Sequence, residues 1–174
     1  MIDDLTFVHV GATVADLDVA MADFARIGAQ SWEVREIGDA WAFDFTSMHN
    51  VHQRNTIAMG MVPGIGPIEL VRPDPTLPMG PQRRLLERRA GLNHFAYTTD
   101  DLERRASALI DEGAHLYMFA KGDDDEQHWV DLLEAGGERA VLPELGNCYL
   151  QLPSGLIVEL LARNRDVLGA SPTR

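Results

Sequence analysis

His9-Val-Gly-Ala-Thr-Val-Ala-Asp16-Leu17-Asp18, running on to Gly28-Ala29, returns later as His94-Phe-Ala-Tyr-Thr-Thr-Asp-Asp101-Leu102-Glu103, running on to Gly113-Ala114. One offset of 85 residues relates His9 to His94, Asp16 to Asp101, Leu17 to Leu102 and Gly28 to Gly113. Each copy closes with a strand-like run that holds a lone acid, Ile68-Glu69-Leu70-Val71 and Ile157-Val158-Glu159-Leu160-Leu161. Self-similarity at a fixed spacing marks a repeated supersecondary unit. The 174 residues therefore read as two small fused modules.

Local patterns fill in each module. Leu5 to Thr13 alternates as a strand, with Phe7, His9 and Gly11 on one face. Asp16 is a helix N-cap, Leu17, Ala20, Met21, Phe24 and Ile27 follow at helical spacing, and Gly28 stops the helix. Further strands are expected at Ser31–Ile37, Trp41–Phe45, Asn55–Val62 and Ile68–Val71. Arg72 to Pro81 holds four prolines, which fix φ and remove donors, so it reads as a linker. Gln82 to Arg89 is a short basic helix anchored by Leu85 and Leu86. The second helix runs from about Asp101 to Glu112, with Leu102, Ala106, Leu109 and Ile110 as its apolar stripe. Lys121 to Pro143 is an acidic insertion opened by Asp123-Asp-Asp-Glu126, and its Trp129, Leu132 and Leu133 suggest an extra helix or a lid. Strands Asn147–Leu152 and Leu156–Leu161 end the module, and a polar tail follows from Arg163.

Composition narrows the function classes. An apolar content of 45% belongs to a globular chain with a sizeable core. A net charge of −12 argues against nucleic acid and anionic membranes, which need a basic footprint, and fits a small-molecule partner. A single cysteine, Cys148, excludes an intramolecular disulfide. The start Met1-Ile-Asp-Asp is not that of a signal peptide, and no apolar run reaches the roughly 18 residues of a membrane helix. The expectation is a cytoplasmic protein.

Taken singly, the repeated His and Glu are ordinary. A histidine on a strand is more often a hydrogen-bonded core residue than a ligand. A glutamate inside an apolar strand is rarer, because a buried carboxylate is costly unless paired or metal-bound, and Arg72 and Arg163 are nearby candidates for pairing. Together they say more. Modules packed about a pseudo-twofold axis would bring His9, Glu69, His94 and Glu159 to one centre, and two imidazoles with two carboxylates suit a divalent transition metal.

The chain resembles the glyoxalase and bleomycin-resistance family, the vicinal oxygen chelate superfamily, and within it the methylmalonyl-CoA epimerase-like group. Ile68-Glu-Leu-Val-Arg-Pro73, Leu85-Leu-Glu-Arg-Arg-Ala-Gly-Leu-Asn-His94-Phe-Ala-Tyr97 and Gly155-Leu-Ile-Val-Glu159-Leu160 carry the likeness. It implies an α+β fold of two tandem βαβββ modules whose curved mixed sheets surround a metal cavity. Residues 1–72 would be the first module, 73–90 a linker with a short helix, 91–162 the second module with the insertion at 121–143, and 163–174 a tail. It also implies that His9, Glu69, His94 and Glu159 are the ligands of a divalent metal such as Zn, Ni, Co, Mn or Fe, with Glu159 also moving a proton. Pairs of sheets often associate in this family, so a homodimer is expected, with Leu85, Leu86 and the loop after Pro73 offering surface.

Two departures stand out. Epimerases of this group resemble one another in Gly-Leu-His-His, where this chain has Asn93 before His94. They also use a second carboxylate on the middle strands, and Asn55-Thr-Ile-Ala-Met-Gly-Met61 has none. Asp44, His49 and His52 are the substitutes within reach, although a solvated turn is the plainer reading of His49 and His52. The resemblance implies an isomerase, epimerase or lyase that acts on a carbonyl compound, acyl-CoA esters included, through a metal-stabilised enolate. Its rivals are a non-heme iron dioxygenase of the same fold, against which Glu69 as a fourth ligand argues, and a metal-free binding or resistance protein.

Overall fold

The computed structural model describes residues 4–121 and 126–163. The first half contains β1 (Thr6–Thr13), α1 (Leu17–Arg26), β2 (Gln30–Asp44), β3 (His49–Val62) and β4 (Gly66–Pro73). Helix α2 (Pro81–Arg89) leads to β5 (Gly91–Thr99), α3 (Leu102–Asp111), β6 (His115–Lys121), α4 (Glu126–Gly136), α5 (Glu138–Val141), β7 (Asn147–Gln151) and β8 (Ile157–Ala162). The repeat survives down to backbone detail. Asp16 accepts from the Val19 amide and Asp101 from the Arg104 amide, each at 3.0 Å. Gly28 and Gly113 end the two helices at φ +94 and +92, a region closed to most side chains.

The strands close into a barrel in the order β1-β4-β3-β2-β6-β7-β8-β5, with β5 returning to β1. Among the described residues, only β1 with β4 and β5 with β8 run parallel. The halves meet at two antiparallel seams, β1 with β5 and β2 with β6, so the closure is itself twofold in pattern. Helix α1 covers the outside of the first half over Ala12, Ala58, Ile68 and Leu70. The second half is covered by α3, α4 and α5, where Leu102, Ala106, Trp129 and Val141 pack on Phe43, Phe119 and Leu150.

Several expectations change here. The strands expected at Ser31–Ile37 and Trp41–Phe45 are one long strand, β2, which ends at Asp44 and whose pairing with β3 is irregular between Ile37 and Ala40. His49 and His52 lie on β3 rather than in a turn, because that strand starts six residues before Asn55 and pairs with β2 from its first residue. Strand β6 fills the place of β2 in the repeat, where the sequence pattern beside the acidic insertion marks no strand. Leu85 is no dimer surface: it is 5% exposed and points among Ala42, Met118, Tyr149 and Ile157. The described part of the insertion, residues 126–143, packs on the outside of the barrel rather than over its mouth. Trp129 is 1% exposed in the outer core, with its ring 4.8 Å from that of Phe119, and Glu126 accepts from the Asn50 amide at 2.6 Å. The run 123–125 and the tail from 164 lie outside the described residues.

Candidate metal centre

Register brings the repeated residues together. Gly11 is paired with Glu69 on one side and His94 on the other, while Ala96 is paired with Glu159 and His9. Partners in register share a face, so all four side chains enter the same interior. Gly11 sits where the imidazole of His94 passes. A Cβ built on Gly11 would lie 1.8 Å from Cε1 of His94, so only glycine leaves room for that ring. In the sequence the signal is a small residue two positions after each histidine, Gly11 and Ala96.

Nε2 of His9 is 3.4 Å from Nε2 of His94, 3.4 Å from Oε2 of Glu159 and 3.5 Å from Oε2 of Glu69. Nε2 of His94 lies 3.7 Å from Oε2 of each glutamate. His9, His94 and Glu159 form the tightest set, with ligand atoms all within 4.8 Å of one another. Glu69 reaches both imidazoles from a more open position, its side chain 15% exposed against 7% for Glu159. Tetrahedral ligands about 2.1 Å from a metal are about 3.4 Å apart, which the separations among His9, His94 and Glu159 match, with Glu69 standing outside that set.

The charges at this centre act on one another. Oε2 of Glu159 is buried and makes no hydrogen bond, although His9 is close. Burial raises the Glu159 carboxyl pKa, but His9, His94 and Tyr149 outweigh it and hold it below the ordinary range. Burial lowers the His9 pKa, and Glu159 with Glu69 overcome that and hold it raised. Two imidazole nitrogens and two carboxylate oxygens thus face one another in the barrel interior, and this donor set fits a divalent transition metal. Tyr149 lies beside it, its ring 5.6 Å from that of His94. Burial, with Glu159 and Glu69 nearby, pushes the phenol well above its ordinary range, so it stays protonated.

The two arginines suspected of pairing with the glutamates are engaged elsewhere, Arg72 on Thr56 and Arg163 on Asp100 and Thr6. The proposed proton-transfer substitutes are also committed. Asp44 is fully buried, and its two oxygens are taken by Arg84, the Thr46 amide and the Ser47 hydroxyl. His49 meets Glu126 at 3.1 Å, and His52 lies 5.2 Å from Trp41, ring to ring. Trp32 packs on Gly60 and Phe24, and Trp129 lies outside the barrel, so neither lines the centre.

Residues 8–141 match the family described as the glyoxalase/bleomycin resistance protein/dioxygenase superfamily. The chain belongs to that superfamily. No curated protein matches this glyoxalase-superfamily chain. Among solved structures it resembles a hypothetical protein from Bacillus halodurans C-125, at 16% identity and a TM-score of 0.49, over 94% of this chain and 97% of that one. Methylmalonyl-CoA epimerase from Mycobacterium tuberculosis is similar over 89% of this chain and 85% of its own, at 21% identity and a TM-score of 0.48. A mutant 4-hydroxymandelate synthase from Streptomyces coelicolor matches at 18% identity and a TM-score of 0.50, over 90% of this chain but 48% of its own. At these identities the likeness is one of fold.

Proposed function

We propose that this glyoxalase-superfamily chain is a metal-dependent isomerase, epimerase or lyase that moves a proton at a carbon beside a carbonyl group. The observation that carries this reading is the convergence of His9, His94, Glu159 and Glu69 on one point, with Oε2 of Glu159 unsatisfied. Such a centre, loaded with a divalent metal, supplies Lewis acidity toward a carbonyl oxygen and stabilises developing enolate charge. Glu159, a buried carboxylate within the donor set, is the residue to accept and return the proton. Tyr149, held protonated beside it, donates and does not accept. His9, His94 and Glu159 are all buried, which limits bulk water at the centre.

Only one base serves the carbon in this reading. Asp44 is neutralised by Arg84, so two-base epimerisation is less well supported than proton return to one face, or elimination. The substrate class is a small carbonyl compound, with acyl-CoA esters included by the sequence likeness to epimerases. No helix among the described residues is long and apolar enough to cross a membrane. A cytoplasmic homodimer is part of the same proposal.

A second reading has one observation of its own. The tightest set is two histidines and one carboxylate, the ligand pattern of non-heme iron oxygenases. Elemental analysis of the purified protein comes first, since a protein that neither carries nor takes up a divalent metal would be a binding protein instead. Incubation of the loaded protein with a panel of carbonyl compounds in deuterium oxide should then place deuterium beside the carbonyl. Oxygen consumption by the iron-loaded protein, with no deuterium exchange, would overturn the isomerase reading in favour of the oxygenase.

A further inference from the structure

Each of the two histidine strands carries a β-bulge, and the bulges obey the repeat. Pairing of β1 with β5 shifts between Phe7 and His9, which makes Val8 an extra residue, and again between Gly11 and Ala12, which makes Asn93 an extra residue. Positions 8 and 93 are separated by the same 85 residues as the histidines. A bulge turns its extra residue out of strict alternation, so position 93 reaches the side of its neighbour His94. Asn93 is 5% exposed, and its Oδ1 is 2.8 Å from Nδ1 of His94.

Hydrogen bonding orients this amide unambiguously. Asn93 Nδ2 donates to the Gly91 carbonyl at 3.0 Å and to Thr13 Oγ1 at 2.9 Å. A carbonyl oxygen only accepts, so the nitrogen must face Gly91 and the oxygen must face His94. Thr13 passes its own proton on to Oε1 of Gln82 at 3.3 Å. Oδ1 can only accept, which puts a proton on Nδ1 of His94 and leaves the Nε2 lone pair facing His9 and the glutamates. Val8, the counterpart in the first half, has no side-chain donor or acceptor.

We propose that Asn93 is a positioning residue that fixes the tautomer and ring orientation of His94, and that the two histidines of the centre are unequal because Val8 gives His9 no such support. The metal-binding part rests on the proposed function; the tautomer part does not. Partners of this kind are worth about 10–100-fold in metal affinity.

The test uses Asn93→Leu, Asn93→Asp and Val8→Leu in the full chain. Long-range proton–nitrogen NMR of the metal-free protein at about pH 8, where an ordinary imidazole is neutral, should show His94 protonated at Nδ1 in the wild type and in Asn93→Asp. Asn93→Leu should lose that preference. Cobalt titration should then weaken about tenfold or more in Asn93→Leu, and change little in Asn93→Asp or Val8→Leu. A wild-type His94 protonated at Nε2, or an Asn93→Leu protein with unchanged tautomer and cobalt affinity, overturns the proposal. If Asn93→Leu does not fold, Asn93→Asp decides: loss of the Nδ1 proton there overturns it. A wild type that takes up no cobalt refutes the proposed function, while the NMR arm still judges Asn93.

Discussion

Gly11 and His94 occupy the same volume: a methyl group on Gly11 would lie 1.8 Å from Cε1 and 1.9 Å from Nε2 of the His94 ring. The missing side chain on one half of the molecule is thus a condition for the histidine of the other half to enter the interior. Gly11→Ala should displace the ring, abolish most metal binding and cost about 1–3 kcal/mol through overpacking, while Ala96→Gly should bind metal as the wild type does. Elemental analysis with urea unfolding checks both; a Gly11→Ala protein with full metal content would contradict the geometry.

The centre itself makes a graded prediction. His9→Ala, His94→Ala and Glu159→Ala should each lose most bound metal with the circular dichroism of the fold retained. Glu69→Gln should be milder, since Glu69 stands in a more open position and an amide oxygen can still coordinate. Unchanged metal content in any two of the alanine variants would end the assignment.

Asp44 is expected to act in folding and not in proton transfer. It is fully buried, and the Arg84 guanidinium on α2 is its charge partner. Arg84→Met leaves that carboxylate uncompensated and should destabilise the protein by about 3 kcal/mol, the lower end for a broken buried pair because Thr46 and Ser47 still donate to it. Metal stoichiometry should not move. Denaturation midpoints and metal content of the same samples decide the matter.

Trp129 should report on stability alone. Its removal in Trp129→Ala is expected to cost about 3–5 kcal/mol by opening a cavity in the outer core. Metal uptake should be unaffected, and Trp129 fluorescence, isolated by replacing Trp32 and Trp41, should not respond to an active-site ligand. A clear response would restore the lid reading.

Acid should loosen the attachment of α4 to β3. The Asn50 amide and then His49 hold the Glu126 carboxyl below its ordinary pKa of 4.5. A depressed carboxyl contributes its full stability above that ordinary value and loses it as pH falls through the lower folded value. Glu126→Gln should therefore narrow the gap in stability between pH 7 and acid; an acid limb identical to that of the wild type would remove Glu126 from the account.

Most of the architecture was legible in residues close together in sequence. Asp16 and Asp101 cap helices, Gly28 and Gly113 end them, and alternation around His9 and His94 marks strands, because capping, chirality and side-chain period act within a few residues. The repeat then implied that both halves fold alike and that His and Glu occupy matching strands. What met what was decided only in three dimensions. Pairing of β1 with β5 joins residues about 80 to 90 apart, and no local preference encodes its register or the bulges that set Asn93 beside His94. The apolar stripe of α4 said that one side is buried, not which side of the barrel wall would bury it, and Phe119 with its neighbours took it on the outside. Leu85 likewise advertised an apolar anchor whose place, the barrel interior, depended on where the closing strands left space. Hydrophobic burial is non-directional, so sequence determined which surfaces must be covered, and closure of the barrel determined by what.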